Sequence, residues 1–188
     1  LRGNIAPRGA VFKAAGAHDR RLRHHRGRAV VFDGIDDLNE RIDDPELDVD
    51  ADRILVLRGM GVLGAPGMPE VGSIPIPAKL RRQGVTDMLR ISDARMSGTS
   101  TGSIVLHVTP EAAAGGPLGR LQTGDDVEID VERGIINHFV GEQEFTARKA
   151  YTNTNAPGRG FSWLHQQHVL QADAGCDFDF LRSVGVSA

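Results

Sequence analysis

The chain of 188 residues has a single cysteine, Cys176, which excludes an internal disulfide and any metal site built from several of its own cysteines. It has no surplus of positive charge. Lys and Arg number 22 against 25 Asp and Glu, and the net charge of -3 offers no basic field, so nucleic acid is not an expected partner. No apolar run approaches the ~18 residues of a membrane-spanning helix, and no secretory signal pattern is present. The expected compartment is the cytoplasm. Internal repeats and low-complexity linkers are also lacking. Methionine is missing until Met60, and the chain opens directly on an ordered-looking stretch, LRGNIAPRGAVFKAAG. That opening reads as part of a longer protein, in which case a site spanning two domains would be incomplete in these residues.

What is present is ordinary for a globular domain: 40% hydrophobic and 25% charged residues, with enough length for a sizeable core. The basic run HDRRLRHHRGR reads as a solvated segment crossing the surface, with an anion site as the sharper alternative. GRAVVFDG (27–34) reads as a strand, and IDDLNERIDD as a short amphipathic helix with Ile35, Leu38 and Ile42 on one face, capped by Asp33 or Gly34. DRILVLRG (52–59) is an apolar run of strand length, expected to be buried on both faces. Residues 59–77 carry five Gly and four Pro and cannot form regular structure; a loop of that length is often functional. Pro77 suits the first turn of a helix, PAKLRRQ, and Gly84 its stop. VTDMLRIS (85–92) and SIVLHVT (103–109) read as strands, residues 126–140 as a β-hairpin, GEQEFTARKA as a short helix, and HQQHVLQA as helical. Six or seven strands mixed with four short helices predict an α/β domain with a mixed sheet or a closed barrel, not a doubly wound parallel sheet.

Two stretches concentrate the candidate chemistry. DARMSGTSTGS (93–103) has seven Ser, Thr or Gly in eleven residues. Local chemistry alone favours a turn, because such side chains satisfy backbone groups nearby. The run lacks the Lys of a phosphate-binding loop and the G-x-S-x-G pattern of a nucleophile elbow. A serine acting as base would need strong positive charge beside it. GAPGMPE (64–70) is a loop stiffened by Pro66 and Pro69 that ends on one carboxylate, Glu70. By itself such a residue is usually solvated, yet a stiff loop presenting one carboxylate suits a hard cation such as Mg²⁺. His107, inside an apolar strand, reads as a core or interface histidine, and Cys176 as a buried or edge cysteine. His165 and His168 make at best a weak metal pair. Phe161, Trp163, Phe178 and Phe180 read as anchors docking the tail 151–188.

Read together, GAPGMPE, SDARMSGT and LHVTPEAAAGGPL, with LRGNIAPRGAV and GRAVVFDG…IDDPELDVDADRILVLR, occur in an order and spacing that resemble the C-terminal domain of the dihydroxy-acid/6-phosphogluconate dehydratase family, over nearly the whole chain. DARMSGT and the GCDFDFL tail resemble the sugar-acid (pentonate or hexonate) branch; the branched-chain amino-acid branch more often reads DGRFSG. The resemblance implies a β-barrel-like, mixed-sheet swivelling domain flanked by short helices. It implies a hydro-lyase that removes water from a 2,3-dihydroxy sugar acid, giving a 2-keto-3-deoxy acid. In that family the Glu of GMPE is a Mg²⁺ ligand, here Glu70; the Ser of RMSGT is the proposed base, here Ser97; and Thr99 matches a hydroxyl at the substrate. An iron–sulfur cluster is held by the family's N-terminal domain, which is then this chain's expected partner within a homo-oligomer. The isolated chain is expected to be inactive. The loop departs from the family in reading GMGVLGAPGMPE where an Asn-Ala-Gly-Pro-like stretch is usual, so only its Glu is carried over. Two other readings remain open: a branched-chain dihydroxy-acid dehydratase, and a catalytically silent domain that binds a partner or an anion.

Overall fold

The computed structural model describes residues 1–17, 19–153 and 157–181. Seven strands form one mixed sheet: β1 (Gly9–Phe12), β2 (His24–Asp33), β3 (Ile54–Arg58), β4 (Arg90–Ser92), β5 (Ile104–Thr109), β6 (Asp126–Asp130) and β7 (Ile135–His138), in the order β1-β5-β4-β3-β2-β6-β7. The centre, β5-β4-β3-β2, is parallel, and both flanks are antiparallel. β2 joins the two regimes. Its first half, from His24 to Arg28, pairs antiparallel with β6, and its second half, from Ala29 to Asp33, pairs parallel with β3.

The opening residues lace the two edges of the curled sheet together. Arg2 N–H donates to Gly134 O at 2.7 Å and Arg2 O accepts from Ile136 N at 3.1 Å, on the β7 side. Leu1 and Ala10 exchange bonds of 2.7 and 2.9 Å on the β1 side. Edge groups that would otherwise be unpaired are thereby used, which explains the half-barrel curl.

The period of two along the central strands sorts the core into two layers. Ala29, Val31, Ile54, Val56, Ile91 and Val105 face one side with Val127, Ile129 and Ile136. Val30, Phe32, Leu55 and Leu57 face the other, against Leu38 and Ile42 of α1 (Gly34–Arg41) and its end, Leu80 of α2 (Ala78–Arg82), and Ile74 and Met88. Strand β3 is therefore buried on both faces, as its unbroken apolar run predicts. α3 (Glu142–Ala147) and α4 (Gly160–His168) complete the α-helices among the described residues.

Several local expectations shift. The basic run is only partly a surface crossing: Arg20–Arg23 form a 3-10 turn, and His24, His25 and Arg26 begin β2, paired with β6. GAVF, within the ordered-looking opening stretch that by itself suggests no particular element, is edge strand β1. Strand β4 is three residues long, and residues 85–89 precede it. Asp33 occupies the cap position of α1, but its side chain makes no cap bond and accepts instead from Arg58 Nε; Asp37 reaches back to the Asp33 N–H at 2.8 Å. The tail helix lies earlier than HQQHVLQA, and Val169 pairs in a β-bridge with Phe178.

The aromatic anchors are corrected as well. Phe161, Trp163 and Phe180 are exposed, and Phe178 stacks on Phe180 instead of on the core. Polar side chains hold the tail. Gln166 donates to Leu63 O at 2.6 Å, Gln171 bonds Glu111, and Asp173 accepts both Nε and Nη2 of Arg8 at 2.7 and 2.6 Å. Residues 154–156 and 182–188 of the tail lie outside the described residues.

Candidate active site

The four parallel strands end on one side of the sheet, the usual place for a site in such folds. There, β3 leads into the Gly/Pro loop 59–77, β4 into the Ser/Gly/Thr loop 93–103, and β5 into Pro110-Glu111. One carboxyl ties all three exits. Asp93, 1% exposed, accepts the N–H groups of Gly59 at 3.0 Å, Met60 at 2.9 Å and Ala112 at 3.0 Å. Burial pushes its pKa up, against the pull of those backbone donors. The chain can turn sharply at Gly59 because φ is +78° there; a Cβ would strike the Tyr151 ring.

Glu111 repeats the device one layer out. Its Oε1 accepts from Leu63 N and Gly64 N, both at 2.8 Å, and its Oε2 accepts from Gln171 Nε2 at 3.1 Å, so it holds the Gly/Pro loop and the tail together. Burial first, and the neighbouring Asp93 charge second, raise its pKa to about 7.

On this frame sit the residues singled out in the sequence. Glu70 is half exposed and accepts Arg95 Nη2 at 2.8 Å. The Arg95 carbonyl in turn accepts Gly72 N–H at 2.8 Å, so the two loops are joined at backbone and side chain through one residue. Two residues on, Ser97 Oγ lies 3.1 Å from Thr99 Oγ1 and 3.4 Å from Thr99 N. Lys13, from the segment after β1, donates to the carbonyls of Ser97, Gly98 and Ser100 at 2.9, 2.7 and 2.6 Å. The loop closes where Gly102 N–H meets Gly16 O at 2.7 Å; Gly102 has φ +125°, and a Cβ there would strike the buried Arg90 guanidinium.

Ser97, Thr99 and Glu70 are thus drawn to one end of the sheet, Glu70 by way of Arg95. The other candidates do not join them as a ligand set. His107 is partly buried with φ +55° and donates its N–H to Ala94 O at 3.2 Å; burial and then Arg95 lower its pKa. His168 pairs with Asp179 at 3.0 Å, whereas His165 stands edge-on to Phe178. Burial raises the Cys176 thiol pKa, and Cys176 lies in the tail, outside the loops that carry Ser97, Thr99 and Glu70. Among the described residues no group of three or more His, Cys, Asp or Glu could hold a metal ion.

Asp93, Arg95, Glu111 and Lys13 carry the geometry and were not singled out as site residues. Asp93 had a readable signal, a carboxylate directly after an apolar strand. For Lys13 the only hint is a lone cation in the apolar stretch VFKAAG.

Comparison with known proteins adds a family and three relatives. The family described as "Dihydroxy-acid/6-phosphogluconate dehydratase C-terminal" matches residues 1–176. The chain is 54% identical over 185 residues to the 6-deoxy-6-sulfo-D-gluconate dehydratase of Pseudomonas putida, covering 97% of this chain and 32% of that protein. It is 51% identical over 189 residues to the L-arabonate dehydratase of Azospirillum brasilense (96% and 32%), and 38% identical over 184 residues to a dihydroxy-acid dehydratase of Streptococcus suis strain 05ZYH33 (97% and 31%). The chain therefore spans about a third of the length of the curated relatives it matches.

Proposed function

The chain belongs to the dihydroxy-acid/6-phosphogluconate dehydratase family through its C-terminal domain, and from that premise we propose that it serves as the C-terminal half-site of a hydro-lyase that converts a 2,3-dihydroxy sugar acid to a 2-keto-3-deoxy acid. Support for a sugar acid comes from the relatives: those named for sulfogluconate and arabonate are about half identical, and the dihydroxy-acid dehydratase stands at 38%. The observation that carries the reading is Arg95, which joins the GMPE loop at Glu70 and Gly72 to the loop bearing Ser97.

In this reading Ser97 Oγ, ionised to the alkoxide by the positive charge that a bound Mg²⁺ would supply, takes the proton from C2 of the substrate and returns to the neutral hydroxyl. The C2–H electron pair stays on the substrate, the C3–O bond breaks, and the resulting enol tautomerises to the keto acid. Thr99 Oγ1, 3.1 Å from Ser97 Oγ, fixes the direction of that oxygen and contacts the substrate. Glu70 would supply one ligand to Mg²⁺. Its half-exposed carboxylate fits an ion that takes few protein carboxylates and leaves positions for water and substrate. When bound, Mg²⁺ supplies positive charge for the anion that develops beside the substrate carboxylate. The Arg95 pairing does not block this, since an exposed ion pair is worth only about 0–1 kcal/mol.

The iron–sulfur cluster does not fit these residues. Cys176 is the only cysteine, and burial disfavours its thiolate. Its ligands are assigned to the N-terminal cluster-binding domain, and departure of the C3 hydroxyl to groups outside this chain. The same reading makes the whole protein a cytoplasmic homo-oligomer. No helix among the described residues is long and apolar enough to cross a membrane.

The test is turnover by the full-length, cluster-loaded protein on a panel of aldonic acids against 2,3-dihydroxy-isovalerate. Faster turnover of an aldonate is expected. Preference for the branched-chain acid would move the protein to the other branch, and turnover of neither would remove the hydro-lyase reading.

A further inference from the structure

The loop that carries Ser97 has little to hold it. Arg95, Gly98 and Thr99 are exposed, and the bonds within the turn 97–100 are few and local: Ser100 N to Ser97 O at 3.2 Å, Ser97 Oγ with Thr99 Oγ1 at 3.1 Å, and the weak 3.4 Å contact of Thr99 N with Ser97 Oγ. Glycine and small hydroxyl side chains leave its backbone free to sample many conformers. A base that must meet a C–H bond in line cannot sit on such a loop without a brace.

The brace comes from the other end of the sequence. Lys13 is anchored on the rim of the sheet, its N–H donating to Ile104 O at 3.0 Å next to the β1–β5 ladder. Its ammonium has three donors, and three carbonyls of the loop receive them: Ser97, Gly98 and Ser100, all within 2.9 Å. Three residues on, Gly16 O takes the Gly102 N–H, and Gly16 lies beside the backbone of Thr101 and Gly102, within ordinary contact of where a Cβ would be. The segment 13–16 thus grips the loop at its middle and at its C-terminal end. Charge-assisted bonds are about twice as strong as neutral ones, so Lys13 outweighs every bond the loop makes to itself.

We infer that Lys13 is the positioning residue for Ser97: its three-point ammonium clamp sets the Ser97-Gly98-Thr99-Ser100 turn and aims the Ser97 hydroxyl. This rests on the reading of Ser97 as the base. The clamp acts on carbonyl oxygens, so it contributes orientation and touches neither substrate nor metal. It also requires the geometry of an ammonium. A guanidinium is planar and bulkier, and its donors diverge within one plane, so it matches the three carbonyls of this one turn less well than an ammonium does.

The experiment uses full-length, cluster-loaded protein carrying Lys13→Met, Lys13→Arg or Ser97→Ala. It reads kcat and KM, substrate C2 proton exchange, the cluster absorption spectrum and amide hydrogen exchange. Lys13→Met is expected to lower kcat and C2 exchange by about a hundredfold, with KM within about threefold and the cluster spectrum intact. The amides of Ser100 and Gly102 should exchange faster while those of the central strands do not change. Lys13→Arg should recover less than about a tenth of the lost rate. If Ser97→Ala abolishes C2 exchange and Lys13→Met leaves kcat or the loop amides unaltered, the clamp is refuted and the base stands. Full recovery by Lys13→Arg would refute the three-point geometry. Normal C2 exchange in Ser97→Ala would overturn the base, and the positioning role with it.

Discussion

Arg95 spans the two loops that meet at the end of the sheet, its guanidinium Nη2 on Glu70 Oε1 at 2.8 Å and its carbonyl on the N–H of Gly72. The side-chain bond is exposed and cheap, whereas the backbone bond holds the loops in register. On the proposed reading Glu70 would exchange Arg95 for a cation while the backbone bond keeps the loops joined. In the full-length protein Glu70→Gln should weaken Mg²⁺ by about tenfold or more and lower activity in parallel. Stability should stay within about 1 kcal/mol of the parent. A magnesium titration of activity checks this, and wild-type metal dependence would mean that Glu70 is not a ligand.

Asp93 offers two carboxyl oxygens to three backbone N–H groups from the exits of β3 and β5. Asp93→Asn replaces one acceptor with an amide that points its own hydrogens at donors. The expected cost is about 2–3 kcal/mol, the penalty for stranding a buried donor. It should appear as a lower denaturation midpoint and as faster exchange at the Gly59, Met60 and Ala112 amides. An unchanged midpoint would contradict the role of Asp93 as the tie.

Glu111 gives stability a pH dependence. Its carboxyl keeps its proton up to about 7 in the folded protein, whereas the unfolded chain releases it near 4.5. Between those values the unfolded state binds fewer protons, so stability falls as pH rises through the window and levels off above it. The upper bound is on the order of 3 kcal/mol. Denaturation midpoints should drop from pH 5 to pH 8, and Glu111→Gln should remove much of that drop. A drop of equal size in the variant would assign it to another group.

The elements whose physics is local were legible in the sequence. Strand β3 announces itself as ILVL, the β6–β7 hairpin by alternation, and α2 by Pro77 before it and Gly84 after it. Strand β1 was not legible, because four residues of modest apolarity become a strand only when β5 and Leu1 pair with them. The first half of β2 reads as a basic surface run because its side chains alternate toward solvent where it leaves β3 for β6. In the tail, apolar content misled: the aromatic rings face outward, and glutamines do the docking. The motifs supplied the proposed site residues Ser97, Thr99 and Glu70. Their partners Arg95, Asp93 and Lys13 depend on how three separate loops meet, and no single stretch of sequence encodes that.

The central claim is that Ser97 takes the C2 proton. Its most direct test is exchange of the substrate C2 hydrogen with solvent deuterium, followed by NMR with full-length, cluster-loaded Ser97→Ala protein on an aldonic acid that the parent dehydrates. Loss of exchange with an unchanged cluster spectrum is the predicted result. Exchange at the parent rate would contradict the account.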